Sequence, residues 1–206
     1  MSMNSEADAV SLILKAFRFA ASKHRDQRRK DEQASPYINH LIAVAETLWV
    51  VGGIRDAGTM AAGILHDIIE DTDTSPEELA REFGSEICGI VRELTDDKEL
   101  PKLVRKRFQI EHAAHLSSPA RYVKIADKIS NLDDIIHSPP AGWSLERREE
   151  YVIWAGKVID GVRGSNEALE HYFDRLSAEA IQAINKEKRH DGRPRDMKLA
   201  KTRQEC

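Results

Sequence analysis

Apolar residues recur at three- and four-residue intervals along nearly the whole chain, the period of a helix that buries one face. Ala9, Leu12, Ile13, Ala16, Phe17 and Ala20 form the first such stripe. Ser35-Pro36 reads as an N-cap followed by proline at the first helical position, opening a helix toward Val50 that Gly52-Gly53 ends. A third helix is expected over 57–70. Ser75-Pro76-Glu77-Glu78 is a capping box with proline at the first helical position, and Gly84 closes the short helix it starts. The pattern predicts further helices over about 85–94 and 101–115, one from Ser118-Pro119 through Asn131, and two over 145–162 and 166–184. Pro139-Pro140, Gly142 and Gly164-Ser165-Asn166 mark the breaks.

No segment alternates with the period of a strand, so an all-α helical bundle forming one domain over residues 1–185 is expected. From Lys186 the composition turns to Lys, Arg and Asp with almost nothing to bury, and residues 186–206 are expected to be a flexible basic tail. A length of 206 residues suits that plan. The apolar fraction of 41% and charged fraction of 32% are those of an ordinary soluble protein. No apolar run reaches the roughly 18 residues of a membrane span, and no export signal opens the chain. Cys88 and Cys206 form no disulfide framework, which points to a reducing cytoplasm. With a net charge of −4, neither nucleic acid nor membrane is an expected partner. Two local basic runs, 24–30 and 102–107, would draw a compact polyanion if they flanked one site.

The candidate chemistry lies in His66-Asp67-Ile68-Ile69-Glu70-Asp71, in Lys124-Ile125-Ala126-Asp127 and in Asn131. At about 100° per residue, positions 66, 67, 70 and 71 share one arc of a continuous helix. Ile64, Leu65, Ile68 and Ile69 pack the same segment into the core, so its acids stand at a buried boundary and demand a cation or hydrogen bonds. Asp127 and Asn131 lie one turn apart on another helix, and His40 lies in the first turns of the helix expected after Pro36. The expected metal ligands are His40, His66, Asp67 and Asp127. Mixed nitrogen and oxygen donors suit Mn, Fe, Co, Ni or Zn better than Ca or Mg. His112 and His115, three apart, are read as helix-face residues rather than ligands of a second ion.

His40, then His66-Asp67, then Asp127 resembles the ligand pattern of the HD-domain metal-dependent phosphohydrolases. Arg28-Arg29-Lys30, Pro36-Tyr37-Ile38-Asn39-His40, the run from Leu65 to Thr74, Leu94-Thr95-Asp96-Asp97-Lys98, Pro101-Lys102-Leu103 and the run from Lys124 to Lys128 are similar to the hydrolase domain of RelA/SpoT enzymes. They are most similar to its stand-alone, metazoan SpoT homologue-type form, over about residues 8–175. The resemblance leaves no room for a synthetase domain and implies a small alarmone hydrolase with an HD-domain bundle and one Mn ion per chain. Its substrate would be the nucleotide ppGpp or pppGpp, from which it would remove the 3′-pyrophosphate, as a monomer or homodimer. By position, Glu70 and Asp71 would handle the attacking water and proton transfer. Arg29 would lie against the guanine and Lys30 near phosphate, with Asn131 at the sugar and Arg147 at the pyrophosphate.

Two positions depart from the family pattern. Leu41 follows His40 where proline is usual, and Ser130-Asn131-Leu132-Asp133 stands where relatives typically read Tyr-Asn-Leu-Arg. Asp133 would disfavour a polyphosphate if it faced the ligand, yet two residues from Asn131 it belongs to a different helical face. Two other readings share the motifs: hydrolysis of a different phosphate ester, such as the 2′-phosphate of NADPH, and a nucleotide sensor on an HD scaffold.

Overall fold

The computed structural model describes residues 5–191. Its helices are α1 (Ser5–Lys23), α2 (Ile38–Glu46), α3 (Ala57–Leu65), α4 (Ile68–Asp71), α5 (Pro76–Phe83), α6 (Ser85–Leu94), α7 (Lys102–His112), α8 (Ser118–His137), α9 (Leu145–Asp160) and α10 (Glu167–Asp191). A π-helical turn, Thr47–Val51, follows α2, and a 3₁₀ turn, Ala113–His115, follows α7. The fold is all-α, as the periodicity predicts, with no strand among the described residues. None of the helices described is long and apolar enough to cross a membrane.

Helix α8 is the axis of the bundle. Most of it from Ala120 to Ile135 is buried, and it packs against α2, α3, α6, α9 and α10. Helix α3 is buried from end to end, held between α1, α2, α6 and α8. Gly63 on α3 permits this crossing, because a Cβ there would meet Leu48 Cδ1 at 2.5 Å. The stripe predicted on α1 does turn inward, with Ala16 and Ala20 fully buried. Helix α7 has no buried residue at all.

Several boundaries differ from the expected ones, each for a local reason. Ser35 does not cap α2. Arg28 bridges Pro36, Arg29 N donates to Ser35 O and Tyr37 N to Gln27 O, so this stretch is a short antiparallel clasp and the helix starts at Ile38. The last turn before Gly52 widens to π, closed by Gly52 N to Thr47 O. The cap of α8 is Ser117, whose side chain accepts from Ala120 N, one residue before the expected Ser118. The helix expected over 57–70 breaks into α3 and α4 at His66-Asp67, where Asp67 takes φ −97° and ψ 1°. Helix α10 runs on to Asp191, past Lys186, and the rest of the expected tail lies outside the described residues.

The turn into α10 depends on one carboxylate. Glu170, 8% exposed, accepts from the backbone N–H groups of Gly164, Ser165 and Asn166. Asn166 caps the helix through Leu169 N and ties it to Gly52 O. Burial alone would raise the Glu170 carboxyl; the three N–H donors outweigh it and hold the group below its usual range. A depressed folded pKa contributes stability above the unfolded value and loses it as pH falls through the folded one. Glu170→Ala should cost about 2 kcal/mol, roughly 4–8 °C in Tm, at pH 7, and the deficit should shrink below pH 4. Thermal melts of both proteins from pH 7 to pH 3 check this, and an unchanged Tm at pH 7 contradicts it.

Candidate metal centre

His40 comes from α2, His66 and Asp67 from the break between α3 and α4, and Asp127 from α8. Interrupting the helix at 66–67 changes the geometry expected from one continuous arc, because His66 and Asp67 now turn into the cavity together while Ile68 stays in the core. His66 Nε2 lies 3.0 Å from Asp67 Oδ2 and 3.7 Å from Asp127 Oδ1. His40 Nε2 lies 3.3 Å from Asp127 Oδ1 and 3.8 Å from Asp67 Oδ2. Donors about 2.1 Å from a shared ion stand about 3.0–3.5 Å apart at right-angle or tetrahedral placement. The four side chains therefore converge, and donor atoms of His40, His66 and Asp67 all fall within 4.8 Å of one another.

The ring nitrogens indicate what the cluster is built to hold. His66 Nδ1 donates to Gly63 O at 2.8 Å, and a carbonyl can only accept, so Nε2 is the nitrogen that offers its lone pair whenever the ring is neutral. His40 Nδ1 contacts Ser130 Oγ at 3.0 Å, which aims its Nε2 at the same point. Both Nε2 atoms are buried and make no hydrogen bond of acceptable angle. Two buried ring nitrogens without a hydrogen-bond partner, beside two carboxylates, fit a divalent cation.

The carboxylates are steadied from outside the cluster. Tyr37 donates its hydroxyl to Asp67. Asp127 accepts from Lys128 at 2.8 Å and from Asn131 at 2.6 Å. Burial opposes charge on Asp127, but Lys128 and the two imidazoles overcome it and keep the carboxyl well below its usual range. Burial likewise opposes charge on His66, yet Asp67 and Asp127 push it up to about 10. A proton and a metal ion therefore compete for this nitrogen.

Glu70 and Asp71 stand on α4 at the rim. Glu70 accepts from Asp96 N at 3.1 Å and lies 3.5 Å from Arg105. Burial raises its carboxyl, and the charges of Asp67, Asp96 and Asp71 reinforce the rise against the Asp96 N–H. Asp71 accepts from Gln27 and Lys98. Arg29 donates to Asp134 and to Asn131 Oδ1 at 2.9 Å, so Asn131 bridges Arg29 to Asp127. These residues surround a cavity of about 520 Å³. A second lobe of about 540 Å³ shares Lys30, Trp143, Tyr151 and Trp154 with it and adds Lys102, Arg105, Lys106 and Arg147. The two basic runs of the sequence thus do meet at one site.

Arg147 stacks over Trp143 at 4.3 Å in the outer lobe, apart from the His-Asp cluster. Asp133 is half-exposed, 3.2 Å from His137, and does not line the main cavity. His112 and His115 are exposed, as expected of helix-face residues. Sequence reasoning marked Ser130 only as a departure from the family pattern and gave no role to Tyr37, Gln27 or Arg105. Of the last three, Tyr37 carried a local signal, three residues before His40.

A family model described as HD domain matches residues 16–156. The guanosine-3′,5′-bis(diphosphate) 3′-pyrophosphohydrolase MESH1 of Xenopus tropicalis is 49% identical over 174 residues, spanning 84% of this chain and 96% of that protein. MESH1 of Drosophila melanogaster is 49% identical over 164 residues, spanning 80% and 92%. A solved structure of a metazoan ortholog of SpoT, which hydrolyzes ppGpp and plays a role in starvation responses, matches with a TM-score of 0.80 and 45% identity, covering 87% of this chain and 98% of that one. With its buried His-Asp cluster on an all-α scaffold, and at this identity over nearly the full length of those relatives, the chain belongs to the HD domain family and, within it, to the MESH1 group.

Proposed function

We propose that this chain hydrolyses the 3′-diphosphate of ppGpp and pppGpp, releasing pyrophosphate and leaving GDP or GTP. The observation that carries the reading is the convergence of His40, His66, Asp67 and Asp127, with two unpartnered Nε2 atoms, at the floor of a cavity whose outer lobe is basic. The named activity of relatives at 49% identity supports it. His40, His66, Asp67 and Asp127 hold one divalent ion, with Mn the proposed metal. Such an ion supplies Lewis acidity toward phosphoryl oxygens and lowers the pKa of water.

The chain's own groups do the rest. Glu70, its carboxyl raised above the usual carboxylate range by burial and by neighbouring acids, takes the proton, and Asp71, held by Gln27 and Lys98, orients water beside it. Arg29 spends the edge of its guanidinium on Asp134 and Asn131, which leaves a planar face for guanine. Asn131 reaches the sugar from its place between Arg29 and Asp127. Lys30, Lys102, Lys106 and Arg147 in the outer lobe offset the charge of a diphosphate, and Arg147 is braced there by Trp143. Cys88 is a buried free thiol, in keeping with a reducing cytoplasm as the working compartment.

The decisive experiment follows pyrophosphate release from ppGpp by purified protein with Mn, alongside NADPH as competing substrate. Release from ppGpp is expected; turnover of NADPH alone would replace the reading. Asp67→Ala should strip bound metal and abolish turnover, and full activity in that variant would refute the ligand set. Glu70→Gln should keep its metal while kcat falls about 10²–10⁴-fold, so an unchanged kcat removes Glu70 from the proton transfer. Ser130→Ala frees the His40 ring and should weaken metal affinity about 10-fold or more. Equilibrium dialysis with metal analysis measures it, and wild-type affinity would show that the Ser130 contact is idle.

A further inference from the structure

The acids on the inner wall of the main cavity each have a mate. Asp71 is bound by Lys98 and Gln27, Glu70 by Arg105 and Asp96 N, Asp96 by Gln109, and Asp134 by Arg29. Asp127 takes Lys128, and Asp67 takes Tyr37 and His66. Of the buried cations lining the cavity, Lys128 and Lys124, one is left over. Lys124 lines the cavity and is only 8% exposed, yet among the described residues it has no acid within 4.0 Å and no hydrogen-bond partner.

Helical spacing fixes where that charge points. Positions 124, 127, 128 and 131 fall within about a 100° arc of α8, so Lys124 faces the same space as Asp127, one turn toward the helix start. Lys128 on the same stripe has its ammonium committed to Asp127 and lies over the Trp154 ring at 4.9 Å. Lys124 lines the same cavity as the metal cluster, Asp96 and Gln109, and the charges of Asp127, Asp96 and Asp67 reach it. The stem of Lys124 is packed away while its ammonium opens onto the cavity, where an anion entering with a ligand can meet it. Asp127, Asp96 and Asp67 attract this ammonium only from beyond ion-pair distance, and Lys128 already holds Asp127, so the cavity side of Lys124 stays open to an anion of the ligand.

We infer that the Lys124 ammonium is a substrate-contacting group that grips an oxygen of the phosphoryl group under attack, and of the pyrophosphate that leaves. This rests on the proposed function and deepens it: the cluster and Lys124 hold the reacting diphosphate from two sides, while the outer lobe holds the far end of the nucleotide. A phosphoryl group drawn to the cluster lies within reach of α8 one turn away, where no competing carboxylate occupies the lysine.

The test uses the full chain loaded with Mn, ppGpp as substrate and inorganic pyrophosphate as product inhibitor. Lys124→Met keeps the stem and removes the charge. It should melt at or above the parent temperature, keep one metal per chain, lose at least 100-fold in kcat/KM, and raise the pyrophosphate inhibition constant at least 10-fold. Parent-like inhibition by pyrophosphate, or kcat/KM within threefold of the parent, overturns the assignment. Should Lys124→Met lose metal or melt lower, Lys124→Arg decides, because it restores charge in similar volume. Recovery of pyrophosphate inhibition in the Arg variant upholds the contact, and inhibition as weak as in the Met variant overturns it. A parent that releases nothing from ppGpp would refute the functional reading instead. Calorimetric titration of parent and Lys124→Met with pyrophosphate then still settles the lysine by the same tenfold criterion.

Discussion

Two carboxylates, buried Asp127 and half-buried Asp67, stand beside two buried imidazoles, with Ile64, Leu65, Ile68 and Ile125 of the core next to them in the chain. Negative charge in such surroundings must be offset nearby, and much of the local structure answers that demand. Lys128 is buried to pair with Asp127. Tyr37 gives up its hydroxyl to Asp67, and the clasp between residues 28 and 36 holds Tyr37 in place. The chain breaks between α3 and α4 so that His66 can place its Nδ1 on Gly63 O and its Nε2 among the acids. Gly63 therefore has two duties, the close approach to Leu48 and the carbonyl that fixes a tautomer.

The elements legible in the sequence are those whose signal is local. The capping box at Ser75, the stripe of α1 and the shared face of Asp127 and Asn131 all follow from spacing within one or two turns. The break at His66-Asp67 was not legible, because Ile68 and Ile69 continue the helical period straight through it. Tertiary pairing of the two side chains overrode that period. Ser35 shows the same limit: its cap chemistry is sound, but Arg29 N, six residues earlier, claims its carbonyl. The Arg29–Asp134 pair joins positions more than a hundred residues apart, which no window of sequence reveals.

The departures at Ser130 and Asp133 acquire distinct physical meanings. Asp133 points away from the main cavity and pairs with His137, so its negative charge does not confront a ligand there. Ser130 is buried against His40, and its hydroxyl serves the ring nitrogen opposite the metal-facing one. Both residues line a separate hollow of about 460 Å³ behind the Arg29–Asp134 pair, with Thr47, Val50 and Val51 of the π turn on its other wall. The Ser130 hydrogen bond adds to the packing of the His40 ring against Tyr37 and His66.

Charge is sorted across the site rather than mixed. The inner cavity holds most of the acids, with Lys124 unmated among them, whereas the outer lobe adds Lys102, Lys106 and Arg147 to the shared Lys30, with Glu146 and Glu150 as further acids. Burial lowers the Lys102 ammonium, and Arg147, Lys30 and Arg105 lower it further. Burial and Lys102 do the same to Lys106. This crowding opposes the fold, and it is concentrated on α7, the helix with no buried residue to hold it down. Trp143, Tyr151 and Trp154 supply the compensating contact, with Lys106 4.7 Å from the Trp154 ring and Trp154 Nε1 donating to Lys106 O. An anion in the lobe would relieve the repulsion that the aromatics only offset, so ligand charge and the seating of α7 are coupled through the same four cations.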